Sequence, residues 1–133
     1  MIGMLQRKRL RQAIELKDQG RLDQADKALS ALVSTTPDFA EAWVELGNVR
    51  IARSKGRPAY DAFSRAAEFI ETAAEARTAL ARLATPGAGD HIRYRNFRQA
   101  LLVDPTYAPA LTDLAELRGG ALTQWFAVAA VSV

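Results

Sequence analysis

A chain that repeats itself at a fixed spacing is bound to one kind of solution. Each unit must bury its apolar side against a copy of itself. This chain repeats at 34 residues. Ala40-Glu41-Ala42 returns as Ala74-Glu75-Ala76 and again as Ala108-Pro109-Ala110. Leu46 returns as Leu80 and Leu114, and Gly47 as Ala81 and Ala115, with Ala13 one period upstream. Leu29 becomes Phe63 and then Phe97, Leu32 becomes Ala66 and Ala100, and Pro37 comes back at Pro105. The units run over 6–39, 40–73 and 74–107, with a partial fourth in 108–133.

Within each unit the pattern reads as two helices. Small residues stand where two backbones approach: Ala13, Gly47 and Ala81 in the first helices, Ala25 and Ala59 in the second. Bulky residues such as Leu16, Trp43, Leu46, Phe63, Leu80, Phe97 and Leu101 recur at spacings that place them on one helix face. Gly20 is placed to end the first helix. Lys55-Gly56-Arg57-Pro58 stops one helix and starts another, with Pro58 in the first turn. Thr85 to Asp90 forms a break, and Asp90 is expected to cap the helix that follows. Thr36-Pro37 and Asp104-Pro105 separate units.

Composition agrees. Ala, Leu, Arg and Glu, all good helix formers, dominate a chain that is 49% hydrophobic and 25% charged, an ordinary globular balance. The absence of cysteine removes disulfides, thiolate metal sites and a cysteine nucleophile, and fits a reducing compartment. No apolar run follows Gln6-Arg7-Lys8-Arg9, so no secretory signal is read, and the expected location is cytoplasmic. No segment reaches the roughly 20 apolar residues of a membrane span. A net charge of +3 speaks of solubility rather than nucleic acid.

The pattern resembles the tetratricopeptide-repeat (TPR) family, whose unit reads W-x2-L-G-x2-Y, then A-x3-F-x2-A, then P. Trp43, Leu46, Gly47, Ala59, Phe63 and Ala66 carry the resemblance in the second unit. Phe97, Ala100 and Pro105 carry it in the third; Gly20, Ala25, Leu29 and Pro37 in the first. The sequence departs from the family at Arg50 (usually Tyr), at Glu71 (usually Pro) and at Arg93 (usually small). Arg93 leaves open a looser third pair or a shift of register. The resemblance implies an all-α, right-handed superhelical solenoid of antiparallel helix pairs, about three repeats plus a partial fourth, with no catalytic function and no cofactor.

Residues that could carry chemistry are few. His91, the only histidine, stands at a helix start and lacks companions for a metal site. Gly87-Ala88-Gly89 lacks the Lys-Ser/Thr of a phosphate loop. Glu71 and Glu75 have the spacing of a solvated helix face. Arg7, Lys8, Arg9 and Arg11, and Arg93, Arg95 and Arg98 near Tyr94 and Phe97, raise nucleic-acid binding as a lesser alternative. Phe97, however, falls on a core position of the repeat and is not expected to stack on bases.

The resemblance implies protein or peptide binding in a concave groove lined by the first helix of each unit. Carried onto this sequence, the groove comprises Leu10, Ile14, Lys17, Val44, Asn48, Ile51, Thr78 and Arg82. Arg7, Glu41, Glu75, Thr112, Asp113 and Glu116 stand beside them. Asn48 takes a place where the family often uses an amide to bond a ligand backbone. Leu10, Ile14, Val44 and Ile51 are expected to form an apolar strip, with Lys17 and Arg82 orienting a partly apolar, partly acidic segment. Leu10 and Ile14 occupy two places of the family's carboxylate clamp, so chaperone-tail binding of that kind is not expected.

The end of the chain, Ala121 to Val133, carries no charge. It suits a greasy cap, a self-association or partner surface, or the start of more chain. In bacterial proteins, similar TPR segments precede catalytic domains such as transferases. The principal alternative to a protein-binding scaffold is therefore a substrate-positioning or dimerising segment of a larger enzyme.

Overall fold

A computed structural model of the chain describes residues 2–84 and 89–117. The Gly87-Ala88-Gly89 motif, most of the Thr85–Asp90 break and the uncharged end 121–133 lie wholly or partly outside those residues. The described chain is all-α, with seven helices and no strand. They are α1 (Met4–Asp18), α2 (Leu22–Thr35), α3 (Ala40–Ala52), α4 (Gly56–Ala66), α5 (Ile70–Leu83), α6 (Asp90–Val103) and α7 (Ala108–Leu117).

The helix starts carry the period of the sequence. Leu22, Gly56 and Asp90 open α2, α4 and α6 at intervals of 34, and Ala40 and Ala108 open α3 and α7 two periods apart. Only α5 breaks step. It starts at Ile70, one turn earlier than the period places it, and also stops early. Glu71 stands where Pro37 and Pro105 interrupt the chain elsewhere, so nothing delays the helix. The Thr72 hydroxyl donates to the Ala66 carbonyl at 2.7 Å and satisfies the end of α4. Side-chain register survives the slide: Ala76, Leu80 and Ala81 are buried, as Ala42, Leu46 and Gly47 are one unit before.

Consecutive helices pack on one another. Beyond that, α1 touches α3, α3 touches α5 and α5 touches α7, while α2, α4 and α6 stay apart. Each core region therefore draws on neighbouring hairpins. Leu10, Ala13, Leu29, Leu32, Leu46 and Val49 form one region. Val44, Phe63, Ala66, Ala76 and Leu80 form the second, and Ala81, Phe97, Ala100, Ala110 and Leu114 the third. Trp43 packs against both of the first two, with its indole N–H donating to the Pro37 carbonyl at 2.8 Å. The Arg65 guanidinium lies over its ring, 5.4 Å from the centroid, within cation–π reach.

The ends of α1 and α3 are closed by the same device. After α1, Gly20 (φ 77°) donates to the Lys17 carbonyl and Arg21 to the Leu16 carbonyl, each at 2.9 Å. After α3, Ser54 (φ 60°) donates to Ile51 and Lys55 to Arg50, each at 2.8 Å. Both are left-handed terminations that satisfy carbonyls the helix would leave bare. The break expected over Lys55–Pro58 thus begins slightly earlier, with the left-handed turn at Ser54, and Gly56 opens α4 with Pro58 in its first turn. Likewise Asp90 is not the cap of α6: Gly89 is, and Asp90 is the first helical residue. Arg93, too large for the closing position, turns its guanidinium to the Ala84 carbonyl (3.0 and 3.3 Å) and caps the end of α5.

Among the described glycines the tightest site is Gly47, where a Cβ would sit 2.6 Å from the Phe63 ring. Gly47→Ala gains about 1 kcal/mol of helix propensity but forces an overpacking that costs about 1–3 kcal/mol. A net loss of up to about 2 kcal/mol is expected in urea unfolding. The first unit places Ala13 and Leu29 at these positions. In a Phe63→Leu background the cost of Gly47→Ala should therefore shrink, a coupling that a double-mutant cycle reads directly. Ser54→Gly should act the other way. Relief of a left-handed L-residue is worth about 1–2 kcal/mol, offset by about 0.5–1 kcal/mol of glycine entropy. A rise of the unfolding midpoint is expected, and a fall would show that the Ser54 side chain contributes more than its backbone costs.

Candidate partner-binding surface

Because α1, α3, α5 and α7 lie side by side, their outward turns make one continuous face. Two ion pairs cross it. The Lys17 ammonium meets Glu45 Oε2 at 2.7 Å, tying α1 to α3. The Arg82 guanidinium grips Asp113 with two nitrogens, Nη2 to Oδ1 at 3.2 Å and Nε to Oδ2, tying α5 to α7. A forked guanidinium–carboxylate pair fixes orientation as well as distance.

Between these pairs stands Glu75. Its carboxyl is raised above the usual value, first by partial burial and then by the charges of Glu45 and Glu41, with Lys17 opposing. Tyr107, at the foot of α7, is also raised, first by burial and then by Glu75, with Arg82 opposing. The centre of the face is thus a zone of negative charge, with its two neighbouring cations already engaged.

The residues expected in the groove divide into three groups. Leu10, Val44 and Thr78 are 6%, 4% and 1% exposed and offer a partner nothing. Leu10 belongs to the first core region and Val44 to the second, and the Thr78 hydroxyl donates to the Ala74 carbonyl of its own helix at 2.8 Å. A first helix packs on its hairpin mate and on the next hairpin, so its buried arc is wider than a single interface requires. The expected apolar strip is thereby reduced to Ile14 and Ile51. Lys17 and Arg82 lie on the face but are held by Glu45 and Asp113 rather than free to orient a ligand. Ile14 and Asn48 are half-buried, and Ile51 is 43% exposed.

Glu45 was not legible as a member of this face, although it lies one helical turn beyond Glu41. The recurrence of Glu41 at Glu75 was the available signal for the acidic centre. His91 is exposed at the start of α6. Among the described residues, no group of three or more His, Cys, Asp or Glu is placed to hold a metal ion, and no helix is long and apolar enough to cross a membrane.

No family model matches the chain, and no curated protein matches it.

Raised carboxylate affinity has a direct thermodynamic consequence. In the window from the ordinary glutamate range upward, the folded chain holds more protons than the unfolded chain, so stability falls as pH rises through it. Below that window Glu75 is protonated in both states and the penalty vanishes. Glu75→Gln should therefore raise the melting temperature at about pH 7, with the gain shrinking toward about pH 4. Thermal melts at both values check this. A gain that grows on acidification would contradict the burial and repulsion assigned to Glu75.

Proposed function

We propose that this chain is a TPR-like, non-catalytic protein-binding module, and that the face of α1, α3, α5 and α7 is its working surface. The observation that supports the reading is that the four first helices lie next to one another, α1 by α3, α3 by α5 and α5 by α7. The cross-helix pairs Lys17–Glu45 and Arg82–Asp113 hold the geometry of that surface. A surface fixed in advance loses little freedom on binding, which favours affinity for a segment that must itself become ordered.

The chemistry of the partner follows from what remains unengaged. The Asn48 amide both donates and accepts, which suits the backbone of an extended chain. Ile14 and Ile51 offer apolar contact on either side of it. With Lys17 and Arg82 already paired, the charge left over at the centre of the face, around Glu75, belongs to Glu41 and Glu75. The favoured partner is therefore a segment that mixes apolar and basic side chains, not the acidic one that lysine and arginine would select.

Paired affinity capture from source-cell lysate tests this. One bait is the native chain. The other carries Asn48→Ala and Glu41→Lys, a half-buried and an exposed position whose replacement leaves the ion pairs intact. A protein recovered with the first bait and lost with the second identifies the partner and its surface. Equal recovery from both baits would remove the face from consideration.

A further inference from the structure

The backbones of α2, α4 and α6 do not approach one another closely, which leaves a gap between each successive pair on that side of the chain. The repeat makes one furrow a control for the other. Between α2 and α4 the furrow is bridged from α3. Arg53 Nη1 donates to Asp26 Oδ2 at 2.7 Å, and its Nη2 lies 2.9 Å from Asp23 Oδ1. Arg50 spans the gap, from the Ser30 hydroxyl (3.5 Å) on α2 to the Pro58 carbonyl (3.0 Å) on α4.

One period on, the charged parts of that bridge have changed, while Ser30 recurs as Ser64. Asp23 becomes Arg57, Asp26 becomes Tyr60, and Arg50 becomes Ala84. Trp43, which fills the first junction, becomes Arg77. The furrow between α4 and α6 is accordingly open, with a volume of about 670 Å³. Tyr60, Arg77, Leu80, Leu83, Ile92 and Arg95 line it, and Arg57 stands in the adjoining depression that shares Tyr60 and Leu83.

The charge of this furrow is unbalanced. Glu68, the carboxylate on its wall, is held by Arg65 at 2.8 Å. Among the described residues, Arg77 makes a 3.4 Å contact with the Asn96 side chain and Arg95 is exposed on α6, and neither forms an ion pair. In the first furrow, arginines and carboxylates are both present and close the gap. In the second, Arg77 and Arg95 line the gap, and the nearby carboxylates are already engaged, Glu68 by Arg65 and Asp61 by Arg57.

We infer that the furrow between α4 and α6 is a second binding surface, and that its occupant is an acidic segment of another protein. The partner supplies carboxylates to Arg77 and Arg95, as Asp23 and Asp26 supply them within the chain one unit earlier. Guanidinium forks suit carboxylates because two parallel N–H groups meet two oxygens. The half-buried Leu83 and Ile92 add a floor for aliphatic side chains, which selects a peptide over a nucleic-acid backbone. The two faces then have opposite preferences: the first-helix face takes basic segments and the furrow acidic ones.

A peptide library displayed on phage and selected on the full chain tests the inference. Selected peptides are then measured against Arg95→Glu, against Arg98→Glu on the same helix outside the furrow, and against Asn48→Ala on the first-helix face. Circular-dichroism melts establish that each variant is folded. Enriched peptides should combine Asp or Glu with Leu, Ile or Val. They should lose roughly tenfold or more in affinity on Arg95→Glu, and little on the other two variants. The inference is overturned if nothing is enriched, if the peptides show no excess of acidic residues, or if Arg95→Glu binds them as the native chain does. Loss on Asn48→Ala instead would assign acidic peptides to the first-helix face and also overturn it. A single-stranded RNA oligonucleotide serves as a competitor. If it binds, is lost on Arg95→Glu and displaces the peptides, the furrow is a nucleic-acid site.

Discussion

No hairpin in this chain can bury its own apolar surface, and everything else in the structure follows from how neighbours make up the difference. Each core region draws residues from two adjacent hairpins, and Trp43 is the side chain that belongs to two regions at once. It is only half-buried, yet three kinds of contact hold it: apolar packing on both sides, the indole bond to Pro37 and the Arg65 guanidinium over the ring. The next unit has Arg77 at that place. A tryptophan fills the junction between hairpins, whereas an arginine leaves space and adds charge. The contrast between a closed furrow and an open one starts from that exchange.

The helices and their order were legible because the period fixes them. Small residues at Ala13, Gly47 and Ala81 can face only a close neighbour, and Leu29, Phe63 and Phe97 are the neighbours. The boundary of α5 was less legible. Glu71 announces a missing proline, but not whether the helix then begins early or the unit slips. The structure resolves this in favour of an early start with the side chains in step.

The candidate face was legible in outline and misread in detail. Asn48 and Ile51 lie on it, while Leu10, Val44 and Thr78 belong to the core. Helical periodicity gives directions around one axis. It does not give the width of the arc that two packing partners cover. Nor does it show that Lys17 would find Glu45, or Arg82 Asp113, across 28 and 31 residues of chain. Those pairs depend on how neighbouring hairpins are set against one another, a property of the stack and not of any unit. They engage the two cations on which the expectation of an acidic segment rested.

The left-handed termination at Ser54 has a bearing on how the stack responds to load. Gly20 makes the same turn with no side chain to resist it, whereas Ser54 holds a conformation that an L-residue leaves readily. Among the described residues, the joint between α3 and α4 is thus one where an L-residue holds a conformation unfavourable to it, inside the hairpin in which the Gly47 backbone meets the Phe63 ring. A pull along the chain would therefore meet, in the second hairpin, a tightly packed middle and a tip with conformational energy to release.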